Sequence, residues 1–235
     1  MATDTRALPL WTFGLAAAAH ALPAASCHVA ALCDVLGVRR RLGAAGAVAL
    51  TFDDGPHPDA TPQVLELLAA ADARATFFLV GEQVDRRPAL AAEIAAAGHA
   101  IGLHGHTHRC ELRLGPGALA DDRRRGLDAI ERATGVRPGL HRPPYGAASA
   151  AGLWLARRAG LETVLWSRWG RDWRARAGGD GVAADVLRGG APERDIVLLH
   201  DADHYGATDC WRATVAALPR ILSACGAAGL RPVRL

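Results

Sequence analysis

The sequence contains no lysine: all 27 of its basic side chains are arginine. Set against 24 acidic residues they leave a net charge of +3, too weak a field to argue for a nucleic-acid partner. The arginines are scattered among acids, and the two runs, Arg39-Arg40-Arg41 and Arg123-Arg124-Arg125, read as solvated faces. With no DNA- or RNA-binding motif beside them, nucleic acid is excluded as a partner class. The arginine excess accompanies abundant alanine and reads as coding bias. Cys-x-x-Cys pairs are also missing. Five scattered cysteines, Cys27, Cys33, Cys110, Cys210 and Cys225, form neither a disulfide framework nor a thiolate zinc site. They read as small buried hydrophobes, with a Cys110–Cys210 bridge left open for an oxidising compartment. No G-x-G-x-x-G follows the first apolar run, so a dinucleotide-binding fold has no support.

What is present is apolar and punctuated. Half of the 235 residues are hydrophobic, and there are 26 glycines and 13 prolines. That suits one sizeable core built from many short elements. Residues 1–45 form an apolar N-terminal segment, expected to be helical. Ala7 to Ser26 is almost wholly apolar, interrupted by Pro9, His20 and Pro23. Three readings fit it: a weak signal peptide ending near Ala24-Ala25-Ser26, a membrane anchor of spanning length, or an alanine-rich helix packed on the domain. The charged start, Asp4 and Arg6, makes a poor positive leader, and a membrane or export role is expected.

From Val48 onward short apolar runs alternate with amphipathic ones. Strands are predicted at Val48 to Phe52, Thr76 to Val80, Ala100 to Leu103, Leu140 to Arg142, Thr163 to Trp166, Ile196 to Leu199 and Arg231 to Arg234. Helices are predicted over Thr61 to Ala71, Ala89 to Ala97, Ala118 to Thr134, Ala148 to Ala159 and Trp211 to Ala228. Gly98, Gly135, Gly160 and Gly229 stand where helix C-caps belong. Strands apolar on both faces, alternating with helices, argue an α/β fold with a parallel sheet, open or closed. The unusual polar residues fall at strand ends: Asp53 and Asp54, His104, Arg142 and Tyr145, Asp172, then His200 and Asp201. In (β/α) barrels chemistry collects at those ends.

Thr51-Phe52-Asp53-Asp54-Gly55-Pro56 puts two carboxylates on an extended segment, where neighbours point opposite ways. One is then free to hold a metal while the other takes a proton. His104-Gly105-His106-Thr107-His108 offers imidazoles, common zinc ligands. If a helical turn follows Leu103, His104 and His108 share a face; if the chain stays extended, His106 joins them. One carboxylate and two imidazoles leave positions open for water and substrate, as catalysis requires. Arg142 in His141-Arg142-Pro143-Pro144-Tyr145-Gly146 has the shape to grip a carboxylate. Asp172 lies between Trp169 and Trp173. Leu198 and His200 share a face by period two, and beside a metal His200 reads as a general acid.

In order, Thr-Phe-Asp-Asp-Gly-Pro, His-x-x-x-His, Arg-Pro-Pro-Tyr-Gly, Asp-Trp and Leu-x-His resemble the polysaccharide deacetylases, the NodB-homology carbohydrate esterases. The resemblance runs from about Val48 to the C-terminus and implies a catalytic domain over residues 46–235. It implies a distorted (β/α) barrel of about seven parallel strands. It also implies roles: Asp53 as base, Asp54, His104 and His108 as metal ligands, and Arg142 orienting the base. The Tyr145 N–H is implied as an oxyanion donor, His200 as the acid, Asp172 as its partner, and Trp173 and Leu198 as walls of the acetyl pocket. The implied reaction is metal-dependent removal of N-acetyl groups from a carbohydrate such as peptidoglycan, a chitin-like oligomer or a glycolipid. Zn2+ is the metal expected from the ligand types, with Co2+ or Ni2+ also fitting. The alternatives are an O-acetyl esterase or small-amide hydrolase on the same site, or an inactive glycan-binding envelope protein. An acetylated carbohydrate is the expected partner, at the cell envelope or outside the cell. His106, His141 and His204 depart from the family pattern.

Overall fold

The computed structural model describes residues 10–235. The expected charged start, Asp4 and Arg6, lies outside the described residues. Two helices come first, α1 (Leu10–Ala21) and α2 (Ala30–Leu36). Then follow β1 (Ala47–Asp53), α3 (Ala60–Ala70), β2 (Thr76–Leu79), α4 (Gly81–Arg86), α5 (Pro88–Ala96) and β3 (Ala100–Leu103). The middle of the chain holds α6 (Pro116–Thr134), β4 (Leu140–His141), α7 (Ala150–Arg158), β5 (Glu162–Thr163) and β6 (Arg168–Trp169). Helix α8 (Gly179–Val186), β7 (Ile196–His200), α9 (Trp211–Ala227) and β8 (Arg231–Pro232) complete it.

The sheet runs β5-β4-β3-β2-β1-β7-β6, with β8 paired to the start of β1. Every pairing is parallel, so all strand C-termini open on one rim. This is the α/β, seven-strand barrel-like fold expected from the sequence, with one exchange of members. The path of seven includes β6, which the sequence reading missed, and leaves β8 to one side. Two residues are too few for a hydrophobic period to register. Gly98, Gly135, Gly160 and Gly229 all have left-handed backbones just past their helices.

The strands sort their side chains with period two. Val48, Leu50 and Phe52 of β1, Phe77 and Leu79 of β2, and Val197 and Leu199 of β7 face the helices. Ala49, Phe78, Ile196 and Leu198 face the barrel interior with Val164, Leu165 and Trp166. On that inner face β1 ends in Asp53 and β7 in His200, which pair in register.

The barrel path is open between β5 and β6, and the chain before β1 bridges the gap. Arg39 N donates to Thr163 O at 3.0 Å, and Leu165 N donates to Arg39 O at 2.8 Å. Leu42 N donates to Arg194 O at 2.8 Å, and Arg40 Nε to Trp166 O at 2.8 Å. Cys33 and Val38 are buried in the interior cluster. Among the described residues no single helix is long and apolar enough to cross a membrane; Ala17–Ser26 and Ala30–Leu36, bent at 114° to each other, reach that length only together. Cys110 and Cys210 are free thiols, so the bridge left open between them is not formed.

Candidate active site

The rim of the sheet holds a cleft of about 280 Å³. Asp53, Asp54, His104, His108 and His200 line its polar side, and Trp166, Trp169, Trp173 and Leu198 its apolar side. Tyr145 and Tyr205 stand at its mouth.

Asp53 ends β1, and its Oδ1 accepts a hydrogen bond from Arg142 Nη1 at 2.7 Å. The guanidinium starts beyond β4 and crosses the interior to reach it. On the way it donates to Thr51 Oγ1 (2.8 Å), Val164 O (3.2 Å) and Leu165 O (3.3 Å), and its carbon sits 4.1 Å from the Phe78 ring centre. No part of Arg142 is exposed. A buried charge survives only when paired and hydrogen-bonded, which Asp53 and the three other oxygens provide.

Asp54 leaves the strand with φ at +78°. This left-handed step breaks the alternation of an extended chain, and it explains why both aspartates line one cleft instead of opposite faces. Asp54 Oδ1 lies 3.5 Å from His104 Nε2 and 3.3 Å from His108 Nε2. Potential ligand atoms of the three residues lie within 4.8 Å of one another.

The donor set suits a divalent cation. Asp54 Oδ1 is buried and accepts no hydrogen bond among the described residues, a costly state without a partner. Burial alone raises the Asp54 carboxyl, but the imidazoles of His104, His200 and His108 hold it at about 2. Burial, with His104 nearby, pulls His108 down to about 4, so it is neutral and able to ligate. His104 Nδ1 is 2.7 Å from the Arg142 carbonyl. A carbonyl only accepts, so Nδ1 carries the proton and Nε2 keeps its lone pair toward Asp54.

The segment from His104 to His108 is neither the helical turn nor the extended run that its sequence allows. It is an irregular loop pinned by Asp122 of α6. Asp122 accepts from His106 N at 2.9 Å and from Thr107 N at 3.0 Å. Gly105 has φ of +83°, and a Cβ there would lie 2.9 Å from Thr107 O, so only glycine fits. The loop brings His104 and His108 together and turns His106 away, to Arg125 at 2.7 Å.

His200 completes the rim. Asp172 accepts from His200 N (2.7 Å), His200 Nδ1 (2.9 Å) and Thr214 Oγ1 (2.5 Å). Burial depresses the imidazole pKa, but Asp172, then Asp54 and Asp53, outweigh it and push it up to about 10. The cleft thus joins a guanidinium-held carboxylate, a carboxylate-held imidazolium and a three-residue ligand set, as hydrolysis of an acyl group requires.

The model of the family described as polysaccharide deacetylase matches residues 42–164. The chain belongs to the polysaccharide deacetylase family. A peptidoglycan-N-acetylglucosamine deacetylase of Bacillus cereus is 42% identical over 178 residues, covering 74% of this chain and 79% of its own. A chitooligosaccharide deacetylase of a Bradyrhizobium species is 39% identical over 169 residues, 72% of this chain and 73% of its own. The crystal structure of the Bc1960 peptidoglycan N-acetylglucosamine deacetylase with 4-naphthalen-1-yl-N-oxidanyl-benzamide has a TM-score of 0.77 at 29% identity. It covers 84% of this chain and 90% of that one.

In this polysaccharide deacetylase, all ten residues singled out from the sequence gather at the rim or directly behind it. Asp172 follows β6, not the fifth strand. Tyr145 takes φ of +61°, a left-handed backbone rare for an aromatic residue, at the cleft mouth. His141 lies behind the cleft, 3.3 Å from Glu111 Oε1. His204 contacts the Pro56 carbonyl at 3.4 Å. The sequence does not single out Tyr205, and it marks Asp201 only as a strand-end polar residue. Tyr205 stacks on His108 at 4.2 Å, and its hydroxyl donates to Glu82 at 2.5 Å. Asp201 lies buried beneath the Asp54 turn, where a Cβ on Gly55 would come 2.5 Å from its Oδ2. Tyr205 sits on no helix or strand period.

Proposed function

We propose that this deacetylase hydrolyses the N-acetyl groups of N-acetylglucosamine residues in a glycan, using a zinc ion held by Asp54, His104 and His108. The observation that carries the reading is the registered pair at the rim. Asp53, fixed by Arg142, and His200, fixed by Asp172, are neighbours on β1 and β7 beside the ligand set. A carboxylate gripped by a guanidinium and an imidazole gripped by a carboxylate, facing one cleft, are placed to act as base and acid. The names of the relatives, peptidoglycan and chitooligosaccharide deacetylases, support the same substrate class.

A divalent ion held by Asp54, His104 and His108 would supply Lewis-acid polarisation of the acetyl carbonyl and lower the pKa of water. Asp53 removes the proton from the attacking water, and the Arg142 contact keeps its carboxylate aimed. The Tyr145 N–H stabilises negative charge developing on the carbonyl oxygen. His200 donates its proton to the departing amine, which leaves poorly without it. Trp173 and Leu198 enclose the acetyl methyl. The N-terminal segment holds the enzyme at the cell envelope or directs its export; Leu15, Leu22, Val29 and Val35 expose apolar surface for that purpose.

Acetate release from N-acetylglucosamine oligomers tests this reading, with metal-stripped and zinc-restored protein and with Asp54→Ala and His200→Ala. Zinc-dependent release lost in both variants is expected. Release that survives metal stripping or the loss of Asp54 would overturn it.

A further inference from the structure

Beside the catalytic cleft lies a second one of about 600 Å³, lined by His108, Arg109, Cys110, Arg113 and Tyr145. The two clefts share His108 and Tyr145. Whatever occupies the second therefore lies next to the group being deacetylated. Its lining carries two guanidiniums and no carboxylate. Neither Arg109 nor Arg113 makes an ion pair among the described residues, and both are exposed.

The local fold explains this uncompensated charge. Glu111, the single acid between the two arginines, turns inward and is 2% exposed. Its carboxylate accepts from Arg123 at 3.0 Å and from the Ser149 backbone at 3.2 Å. It is spent on the interior and leaves the outer wall positive. Some arginines on other faces are matched, as Arg124 is with Asp121 and Arg137 with Glu131, so what sets Arg109 and Arg113 apart is that both line one cleft beside the catalytic one.

We propose that Arg109 and Arg113 form a subsite for a carboxylate carried by the sugar next to the acetylated one, so that the enzyme prefers an acidic glycan to a neutral one. The inference rests on the deacetylase reading above and narrows its substrate. The alternating glycan of peptidoglycan has this chemistry where its stem peptide has been removed, because the ether-linked lactyl group of every second sugar is then a free carboxylate and not an amide; a chitin-like oligomer does not. Guanidinium suits the task because its paired N–H groups match the two carboxylate oxygens.

The test compares three oligosaccharides of equal length with zinc-loaded protein. They are a neutral N-acetylglucosamine oligomer, an alternating oligomer with free lactyl carboxylates, and the methyl ester of the latter. Exposed ion pairs are individually weak, so the Arg109→Gln/Arg113→Gln double variant should raise KM for the acid oligomer about 3- to 10-fold. Its kcat should hold, its KM for ester and neutral oligomers should not move, and added salt should erase the acid preference of the parent protein. Equal KM for acid and ester, or an equal effect of the variant on all three, would overturn the subsite. Calorimetric binding of acid and ester oligomers decides the same point without turnover. If the parent protein releases no acetate, the deacetylase reading of these glycans fails. Tighter binding of acid than ester, lost in the double variant, would still establish the subsite, and equal binding would refute it.

Discussion

Asp172 holds His200 twice, through the backbone N–H at 2.7 Å and through Nδ1 at 2.9 Å. The second contact fixes the ring so that Nε2 faces the cleft, and it helps raise the pKa to about 10. A raised value keeps the imidazole protonated at neutral pH, so with His200 as the proposed acid activity is expected to fall as pH climbs through it. Asp172→Asn removes the charge and keeps the shape. The alkaline limb of kcat/KM should then move toward lower pH by at least about one unit, since a close carboxylate shifts a pKa by one to three. A bound dication offsets Asp54 but leaves Asp172 in place, so the direction holds for the loaded enzyme. A pH–rate profile of both proteins checks it, and an unmoved limb would remove His200 as the titrating acid.

The proton donation proposed for His200 distinguishes amide from ester substrates. An alcohol leaves without full protonation more readily than an amine does. His200→Ala should therefore depress N-acetyl hydrolysis by about 100-fold or more and O-acetyl hydrolysis by clearly less. Matched N- and O-acetylated sugars provide the measurement. Equal losses would assign His200 a structural part instead of proton donation.

Asp122 reaches the ligand set without touching it. Its carboxylate accepts the His106 and Thr107 N–H groups, and the Thr107 hydroxyl donates to it as well at 2.5 Å. These bonds shape the loop that brings His104 to His108. Asp122→Ala should weaken zinc affinity by about 10- to 100-fold, the usual cost of losing a support behind the ligands. It is read as the loss of zinc-induced thermal stabilisation at fixed metal concentration, because a ligand stabilises in proportion to the logarithm of its concentration over Kd. Unchanged affinity would show that Gly105 and the barrel alone hold the loop.

The residues legible in the sequence are those whose chemistry is local. Asp53-Asp54, His104 with His108, and the His200 strand end stand out because each polar residue interrupts an apolar strand. Asp122 is different: in sequence it is one of two adjacent acids on a charged helix, indistinguishable from a solvated surface pair. Tyr205 lies in an irregular loop with no period to betray which way it faces, and Asp201 stands out as a strand-end acid without betraying that it turns beneath the Asp54 loop. The direction of Asp54 was misjudged for a related reason, since alternation assumes an extended chain and its left-handed φ ends that assumption. The strand count survived because β1, β2, β3 and β7 are long enough to show a pattern, while β6 is two residues long.

Arg142 gives a stability prediction. Arg142→Met removes a guanidinium that four buried oxygens rely on and leaves the Asp53 charge unpaired in the interior. Breaking a buried pair from one side costs about 3–5 kcal/mol, and denaturant titration should show a loss of that size. Arg142→Met with Asp53→Leu, which deletes both charges, should recover part of the stability but no activity. If the double variant is no more stable than the single one, the pair is not what makes Arg142 costly to replace.

The N-terminal segment divides into a part the barrel uses and a part it does not. The segment from Cys33 to Leu42 buries Cys33 and Val38 and bridges the gap between β5 and β6 through the backbone of Arg39 and Leu42. Helix α1, before it, has no buried residue among those whose side chains are described. A variant lacking residues 1–21 should melt close to the full chain, within about 1 kcal/mol, as changes away from a core usually do. A variant lacking residues 1–42 loses two core side chains and the bridge, and should be less stable by about 3 kcal/mol or more. It should also aggregate, because the freed β5 edge presents unpaired backbone groups. A processing cut at Ala24-Ala25-Ser26 spares the bridge; one beyond Leu42 destroys it. Equal melting of both truncated proteins would mean that the barrel closes its own gap and that the segment merely lies against it.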